Sequence, residues 1–255
     1  VPLFIRKRND LQLTAAGMRL KQHAETIVQG WERAKLEIAL DPGIEGLMIG
    51  CTNDLWDLFV LSWVKALTQK APKIAIQVEA QSPDMLSQRL INGLVDVCFL
   101  FDPPHTSGLI LKHAFDTNLI MVSSEPKLQQ LDQFNLQNYY MVNWGISFQS
   151  KHNQYFPGLD VPAATFSSGS MALDILLKEG GCAFLPEQMV RDALQQEILF
   201  PVEDSPVIER SAYLVFKEEL ESRQSVQVAI QMMRECVKQQ EAQLVKAKDN
   251  VEGWE

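Results

Sequence analysis

The sequence predicts an α/β protein in which two lobes of alternating strands and helices follow a long N-terminal helix. A first set of apolar, strand-like runs alternates with helical patterns between about residues 46 and 101, and a second set begins near residue 119. Ahead of both sets, apolar residues recur in steps of four and three, which is the spacing of a coiled-coil seam.

The N-terminal segment joins a basic cluster to the start of that helix. Arg6, Lys7 and Arg8 suit phosphate contact, and the strand-like run 11–13 follows them. Three charges on their own most often form a solvated turn, but a helix capped by Thr14 directly afterwards favours a DNA-binding wing. The apolar seam predicts a dimerisation helix, because two chains would bury it together; its residues are Leu20, Ala24, Ile27, Trp31, Ala34 and Ile38.

A βαβαβ order accounts for the first lobe. The apolar run 46–51 predicts a strand, and residues 52–54 cap a helix in which apolar residues recur every four positions, at Leu55, Phe59, Trp63 and Leu67. The alternating run 74–78 predicts a second strand, Ser82 and Pro83 start a second helix, and the run 94–101 predicts a third strand. This order predicts a parallel sheet with right-handed crossovers.

The second lobe shows the same alternation. Strands are expected at 119–122, 139–143, 163–166 and 182–186, with a helix over 171–178 that ends at Gly180 and Gly181. A returning strand at 213–216 and a last helix from about Arg223 complete the pattern, and the charged residues from Lys238 onward predict an exposed tail.

The N-terminal segment resembles that of the LysR-type transcriptional regulators, whose winged helix-turn-helix ends in the motif LFxRxxxxxxLTxAGxxL and passes into a linker helix. The matching residues are Leu3, Phe4, Arg6, Leu13, Thr14, Ala16, Gly17 and Leu20. Further along, Leu90, Gly93 and Asp96 match the family's LxxGxxD pattern. Shorter runs such as LTAAG and Asn143-Trp144-Gly145 are most similar to the HdfR-like branch of that family.

The resemblance implies a domain organisation for the whole chain. Residues 1–13 would be a remnant of the winged helix-turn-helix, 14–40 the linker and dimerisation helix, 44–240 the effector-binding domain, and 241–255 a charged tail. The effector-binding domain would have two Rossmann-like lobes resembling type 2 periplasmic binding proteins, with lobe I at about 44–117 and 211–240 and lobe II at about 118–210. Most of the helix-turn-helix is expected to lie upstream of Val1.

Helix starts at the ends of predicted strands suggest a ligand site. Their unpaired N–H groups and the helix dipole favour anions, and α/β sheets bind ligands at the carboxyl ends of their strands. Plain helix capping accounts for the same residues, so that alternative stays open. The resemblance adds two residues from early in the second lobe. We expect a small-molecule effector that is a carboxylate or a neutral molecule. Trp144, Phe148 and Phe101 are candidate aromatic walls for a ring-bearing effector, but such rings more often belong to the hydrophobic core, and that alternative stays open. The predicted effector-binding residues are Thr52, Asn53, Ser82, Ser147, Phe148, Ser167 and Ser168.

Composition and motifs argue against other classes of protein. Neither a P-loop nor a nucleophile elbow occurs, the four histidines lack metal-ligand spacing, and the four cysteines are scattered, so we expect no enzyme, metal or cofactor. Residues 1–37 carry seven basic against four acidic side chains, whereas the whole chain has a net charge of −9, so only the N-terminal part should attract DNA. Without a long apolar run, the cytoplasm is the expected location. A stand-alone solute-binding protein of the same fold is the alternative, but it would need an export signal and would not need the seam.

Overall fold

The computed structural model describes residues 1–7, 10–126, 138–157 and 162–252. At its N-terminus, strand β1 (Phe4–Lys7) pairs antiparallel with β2 (Asp10–Leu13), and helix α1 (Ala15–Ile38) follows. Thr14 caps this helix, because its Oγ1 accepts from the Gly17 amide at 2.9 Å. A Cβ on Gly17 would lie 2.1 Å from the Leu3 carbonyl oxygen, so only glycine lets the start of the helix pack this closely against the strand.

The remaining strands form a single mixed sheet in the order β4-β3-β5-β11-β6-β9-β7-β8, with β10 paired to β6. Their bounds are β3 Glu45–Cys51, β4 Ile74–Ala80, β5 Val97–Leu100, β6 Leu109–Ser123, β7 Tyr139–Val142, β8 Ala164–Phe166, β9 Cys182–Pro186, β10 Phe200–Pro201 and β11 Ile208–Lys217. Strand β3 is parallel to both of its neighbours, β4 and β5, as the βαβαβ order predicts. The long antiparallel pair of β6 and β11 runs through both lobes and joins them.

Helices cover the faces of this sheet. Their bounds are α2 Asn53–Leu55, a π-helical turn Trp56–Val60, α3 Leu61–Lys70, α4 Pro83–Ile91, α5 Ile146–Tyr155, α6 Gly169–Glu179, α7 Glu187–Gln195, a 3₁₀ turn Glu218–Leu220 and α8 Gln224–Glu252. None of the helices in the described part of the chain has the length and apolarity that crossing a membrane requires.

The π-helical turn explains the spacing of four in the first helix of lobe I. An α-helix turns about 100° per residue, so residues four apart drift by about 40° per step away from a common face. The wider turn at Trp56–Val60, closed by the Leu61 amide donating to the Trp56 carbonyl, compensates for that drift. Leu55, Phe59 and Trp63 are therefore all fully buried, and the Trp63 indole N–H donates to Ala229 of α8 at 3.1 Å.

Two hydrophobic cores lie on either side of the β6–β11 pair. The first packs α2, α3 and α8 against β3, β5 and β11, and the second packs α5, α6 and α7 against β6, β7 and β9. A smaller, separate cluster packs α4 against the other face of β5 and β11. The four cysteines are buried and unpaired in these cores. The cores define lobe I and lobe II as used below.

The third strand is shorter than the sequence predicts. The expected run 94–101 narrows to β5, Val97–Leu100, because Asp96 lies in the turn before it and its carboxylate accepts from the Met48 amide at 2.8 Å. The expected strand 119–122 is only the end of the 15-residue β6, and the expected helix 171–178 begins earlier, at Gly169. Helices α5 and α7 are additional to the predicted elements.

Candidate functional site

A cavity of 570 Å³ separates the two lobes at the ends of β3, β4 and β5. Lobe I contributes polar side chains that follow these strands directly, and lobe II contributes the segment before and within the first turns of α5. The lining residues from lobe I include Thr52, Asn53, Asp54, Gln81, Ser82, Asp84 and Asp102, and those from lobe II include Asn143, Trp144, Gly145, Ile146, Gln149 and Ser167. We call this cavity the interlobe cleft.

A second depression of the same volume lies near Ile91, Thr106 and Lys217, and it opens more widely to solvent. It is remote from the carboxyl ends of the parallel strands, where ligands of α/β sheets bind. The interlobe cleft is therefore the better candidate site.

The predicted helix-start residues of lobe I lie on the cleft wall and also cap their helices. Thr52 Oγ1 accepts from the Leu55 amide at 3.4 Å, and Ser82 Oγ accepts from the Met85 amide at 3.5 Å. Asn53 is exposed beside Thr52. Both alternatives left open by the sequence, capping and facing a ligand, are thus compatible with the geometry.

Of the two predicted serines that precede α6, only one reaches the cleft. Ser167 lines it, whereas Ser168 is buried and donates its hydroxyl to Asp54 Oδ1 at 3.1 Å. The Gly169 amide donates to the same oxygen at 2.7 Å, so a carboxylate of lobe I occupies the start of a lobe II helix. Ser168 is a correction to the predicted ligand-contacting set, because its hydroxyl is already used and shielded from solvent.

Asp54 is buried despite its charge, and the two lobes meet at its side chain. Burial raises the pKa of this carboxyl above its ordinary value, while the hydrogen bonds from Gly169 and Ser168 act in the opposite direction. The sequence indicated Asp54 only as one of three caps of the first helix. Its contact with lobe II depends on residues more than a hundred positions away, for which no local signal exists.

Asp102 makes the second polar contact between the lobes. Arg210 of β11 binds it with both terminal nitrogens, at 3.1 Å and 2.9 Å, and Ser147 of α5 donates to it at 2.6 Å. Burial on its own would raise the pKa of Asp102, but the hydrogen bonds from Arg210 and Ser147 and the Arg210 charge hold it below its ordinary value. Arg210 is buried and lies 5.2 Å from the centre of the Phe101 ring. Sequence reasoning missed both Asp102 and Arg210.

Gly145 allows this contact. Its φ is +94°, and a Cβ there would lie 2.1 Å from Asp102 Oδ2 and 3.1 Å from an Arg210 nitrogen. The Asn143 side-chain oxygen accepts from the Gly145 amide at 3.2 Å, which orders the loop before α5. The run Asn143-Trp144-Gly145 thus shapes the lobe II wall of the cleft.

Phe148 is a correction to the predicted effector-binding residues. It is buried and packs on His152 and Phe184 in the core of lobe II, with ring centres 5.4 Å and 5.9 Å apart. The reason is helical periodicity: Ile146 and Gln149, three residues apart, face the cleft, and Phe148 therefore points away from it. Ser147 reaches the cleft wall only through its bond to Asp102.

Of the three candidate aromatic walls, two line the cleft, and Phe148 belongs to the core as the alternative had it. Trp144 and Phe101 both line the cleft, with ring centres 6.5 Å apart in an edge-to-face arrangement. The Trp144 indole N–H donates to the Phe184 carbonyl at 2.9 Å and the residue is only 2% exposed, so most of its ring belongs to the core of lobe II.

The predicted DNA-contacting and dimerisation residues lie far along the chain from the cleft, at the N-terminal end. Arg6 is exposed on β1 and Lys7 ends that strand, while Arg8 lies outside the described residues. The larger seam residues of α1 are exposed on the single chain, at 48% for Leu20, 72% for Ile27, 63% for Trp31 and 82% for Ile38. Ala24 is exposed and Ala34 is half-buried.

The described residues contain no group of three or more His, Cys, Asp or Glu side chains that is placed to hold a metal ion. The chemistry of the cleft is that of hydroxyls, amides, carboxylates and aromatic edges, which suits reversible binding.

Comparison with known proteins identifies the family. The family model described as "LysR substrate binding domain" matches residues 45–237. The HTH-type transcriptional regulator HdfR of Yersinia pestis (strain Pestoides F) is 28% identical over 223 residues, which covers 84% of this chain and 75% of that protein. HdfR of Yersinia pseudotuberculosis serotype O:1b (strain IP 31758) matches equally well.

Solved structures share the fold. A full-length OxyR variant of Pseudomonas aeruginosa superposes with a TM-score of 0.58 at 15% identity, covering 93% of this chain and 84% of that one. Vibrio fischeri DarR, solved in complex with DNA, superposes with a TM-score of 0.62 at 17% identity, covering 91% of this chain and 82% of that one. The resemblance inferred from the N-terminal motif is confirmed, and the chain belongs to the LysR family of transcriptional regulators, whose effector-binding domain it carries.

Proposed function

We propose that this chain senses a small molecule in the interlobe cleft and that the bound state is communicated to DNA through α1. The observation that supports the proposal is the position of the cleft, at the carboxyl ends of three strands and between two lobes that both contribute polar side chains. Thr52, Asn53, Ser82 and Ser167 are the predicted contacts that the cavity brings together.

The lobe II residues proposed to contact a ligand differ from those expected from the sequence. Gln149 and Asn143 present their amides to the cavity where Ser147 and Phe148 were expected. Amide side chains donate and accept, so they can bind hydroxyl, amine or carbonyl groups of a ligand.

A thermal-shift screen of metabolites tests the proposal. Each compound that raises the melting temperature of the wild-type chain is repeated on Asn53→Ala and Gln149→Ala, one variant for each lobe. Thr106→Ala, at the second depression, is the matched control. A cleft ligand loses its stabilising effect in the first two variants and keeps it in the control. Hits that respond only to Thr106→Ala would move the site to the other depression, and a broad screen without hits would contradict ligand sensing.

We also propose that two copies pair along the seam of α1, so that the family's wings are presented together to DNA. A stripe of apolar side chains as exposed as Ile27 and Trp31 is unusual on a monomer, and a partner helix would cover it. Dimer or dimer-of-dimers assembly is compatible with this seam. Such a regulator acts where the DNA is, in the cytoplasm.

DNA contact is proposed for Arg6, which is exposed on the β1–β2 hairpin. In a protein that carries a complete helix-turn-helix, Arg6→Ala should weaken binding to all sequences alike and flatten its salt dependence, because a phosphate contact carries no base readout. Filter binding at several salt concentrations measures both effects. An unchanged salt slope would show that Arg6 does not touch the DNA backbone.

A further inference from the structure

We infer that the ligand of the interlobe cleft carries a protonated amine together with neutral hydrogen-bonding groups, and that it is not a carboxylate. The inference rests on the proposed function, since it assumes that the cleft binds a ligand. It revises the expectation from sequence, which relied on helix starts as anion sites.

The helix starts around the cleft already have acceptors supplied by the protein. Asp54 accepts a hydrogen bond from the Gly169 amide at the start of α6. Asp102 accepts hydrogen bonds from both the hydroxyl and the amide of Ser147 in the first turn of α5. Thr52 and Ser82 cap the two helix starts of lobe I. Two of these four acceptors are carboxylates that lobe I extends into lobe II, so an anionic ligand would have to displace them to reach the helix starts of lobe II.

The charge that lines the cleft is negative. Asp54, Asp84 and Asp102 contribute carboxylates, and no Lys, Arg or His occurs among the described lining residues. Arg210 lies behind Asp102 and is bound by it through both terminal nitrogens. Asp57 is exposed close to Asp54 and adds to the negative potential. Because Arg210 offsets the charge of Asp102, Asp84 and the nearby Asp57 supply the net negative charge that repels an anion and attracts a cation.

Asp84 is the carboxylate available to such a cation. It is exposed on the first turn of α4, and within the described residues it has no hydrogen-bond or ion-pair partner. Its place at a helix start stabilises α4 whether or not a ligand binds, so stability alone does not reveal a role in recognition. A separate readout that depends on the charge of the ligand is needed.

The other lining groups suit the uncharged part of an amine ligand. The Phe101 and Trp144 side chains provide an apolar part of the cavity wall, and the side-chain amides of Gln81, Asn143 and Gln149 can bind hydroxyl or carbonyl groups. A volume of 570 Å³ falls within the usual range for small-molecule sites, roughly 300–1,000 Å³.

The test uses three probes with one ring system and different end groups: tryptamine, tryptophol and indole-3-propionate. Each is titrated against the full chain at millimolar concentration, with melting temperature and isothermal calorimetry as readouts. We expect tryptamine to bind more tightly than tryptophol and indole-3-propionate to bind most weakly. Asp84→Asn should lower the affinity for tryptamine about tenfold and leave the affinity for tryptophol unchanged, because only the contact to the ammonium charge is lost. Asp204→Asn, an exposed carboxylate at another surface, removes the same charge as the matched control.

The outcomes separate this inference from the proposed function. Binding of indole-3-propionate as tight as that of tryptamine, and abolished by Asn53→Ala, would keep the cleft as the ligand site and overturn the amine inference. If Asp84→Asn and Asp204→Asn lower the affinity for tryptamine equally, the amine inference is also overturned, because the loss would then come from the overall charge of the protein. Failure of all three probes to bind overturns the inference, while the metabolite screen described above still decides whether the cleft is a site.

Discussion

Arg33 of α1 donates to Asp96 Oδ1 at 2.6 Å, so the long N-terminal helix is joined to lobe I through a carboxylate that is itself fully buried. Arg223, just before α8, donates to the same oxygen at 2.9 Å, and the Met48 amide donates to the other oxygen at 2.8 Å. Arg33 also donates to the Gly93 carbonyl. Asp96 therefore connects α1, β3 and the segment leading into α8, and a rotation of α1 relative to lobe I must break the bonds that Arg33 makes to Asp96 and Gly93.

Replacing Asp96 by alanine should lower the free energy of unfolding by about 3–5 kcal/mol, because two guanidinium groups lose their shared partner. Urea unfolding measures this loss. Lys112→Ala is the control, since Lys112 and Glu221 form an ion pair at 3.3 Å with both side chains partly exposed. Such a pair should contribute only about 0–1 kcal/mol. Similar losses in the two variants would show that the bonds of Asp96 contribute no more to stability than an exposed ion pair does.

Gly145→Ala should destabilise the protein more than Gly43→Ala. Both glycines have φ near +90°, at +94° and +88°, so each alanine incurs backbone strain of roughly 1–3 kcal/mol. At residue 145 the added Cβ would also meet Asp102 and Arg210, whereas at Gly43 no atom of the described residues lies within 4 Å of it. Urea unfolding of both variants isolates the cost of that collision. Equal losses would mean that the loop before α5 can move aside without breaking the Asp102–Arg210 pair.

Local patterns were sufficient to predict the parallel half of the sheet. The strand-like runs and helix caps around Thr52 and Ser82 depend on neighbouring residues, and the structure confirms the order β3, α2–α3, β4, α4, β5. The full length of β6 and its pairing with β11 could not be predicted in this way. Those strands pair residues about a hundred positions apart, and β6 lacks a single alternating pattern along its 15 residues.

The candidate site shows the same difference between residues that local patterns indicate and residues whose partners are distant in the sequence. Thr52, Asn53 and Ser82 could be placed at the cleft because capping is a local signal. Asp54 and Asp102 could not, since their partners Gly169 and Arg210 lie 115 and 108 positions away. Phe148 was assigned to the cleft by resemblance to the family. Because α5 was not predicted as a helix, its buried and exposed faces could not be assigned from the sequence.

The stability of lobe II should fall in mildly acidic solution because of His152. This side chain is buried, and its Nε2 lies 2.8 Å from the Tyr139 hydroxyl oxygen. Burial lowers the pKa of His152 below its ordinary value of 6.5, while a hydrogen bond with Asn153 acts in the opposite direction. As the pH falls below 6.5, the unfolded chain takes up a proton at this residue before the folded chain does, so protonation favours unfolding.

Urea unfolding from pH 7.5 downward should therefore show wild-type stability decreasing below about pH 6.5. His152→Gln keeps a side chain that can bond to Tyr139 and removes the titration, so its stability should depend less on pH over the same window. The difference between the two curves gives the contribution of His152 to the pH dependence of stability, because both proteins contain the same carboxylates. Parallel curves would assign the acid sensitivity to other groups.

Pairing along α1 should be lost when charge is placed in the seam. Ile27 and Trp31 are 72% and 63% exposed on the single chain, and the α1 helix of a second copy would cover both. Ile27→Asp combined with Trp31→Asp buries four carboxylates in a dimer, two from each chain, which outweighs the apolar contacts that remain.

Light scattering at micromolar concentration measures the mass directly. We expect the wild-type chain to have the mass of a dimer or a tetramer, and the double variant to have a lower mass. His23→Asp is the matched control, because His23 is exposed on α1 but lies outside the seam. A control that dissociates as completely as the double variant would show that charge anywhere on α1 is enough to separate the chains. A wild-type chain with the mass of one copy, 28.9 kDa, would contradict the seam itself, and the exposed apolar residues of α1 would then need a partner other than a second copy of this chain.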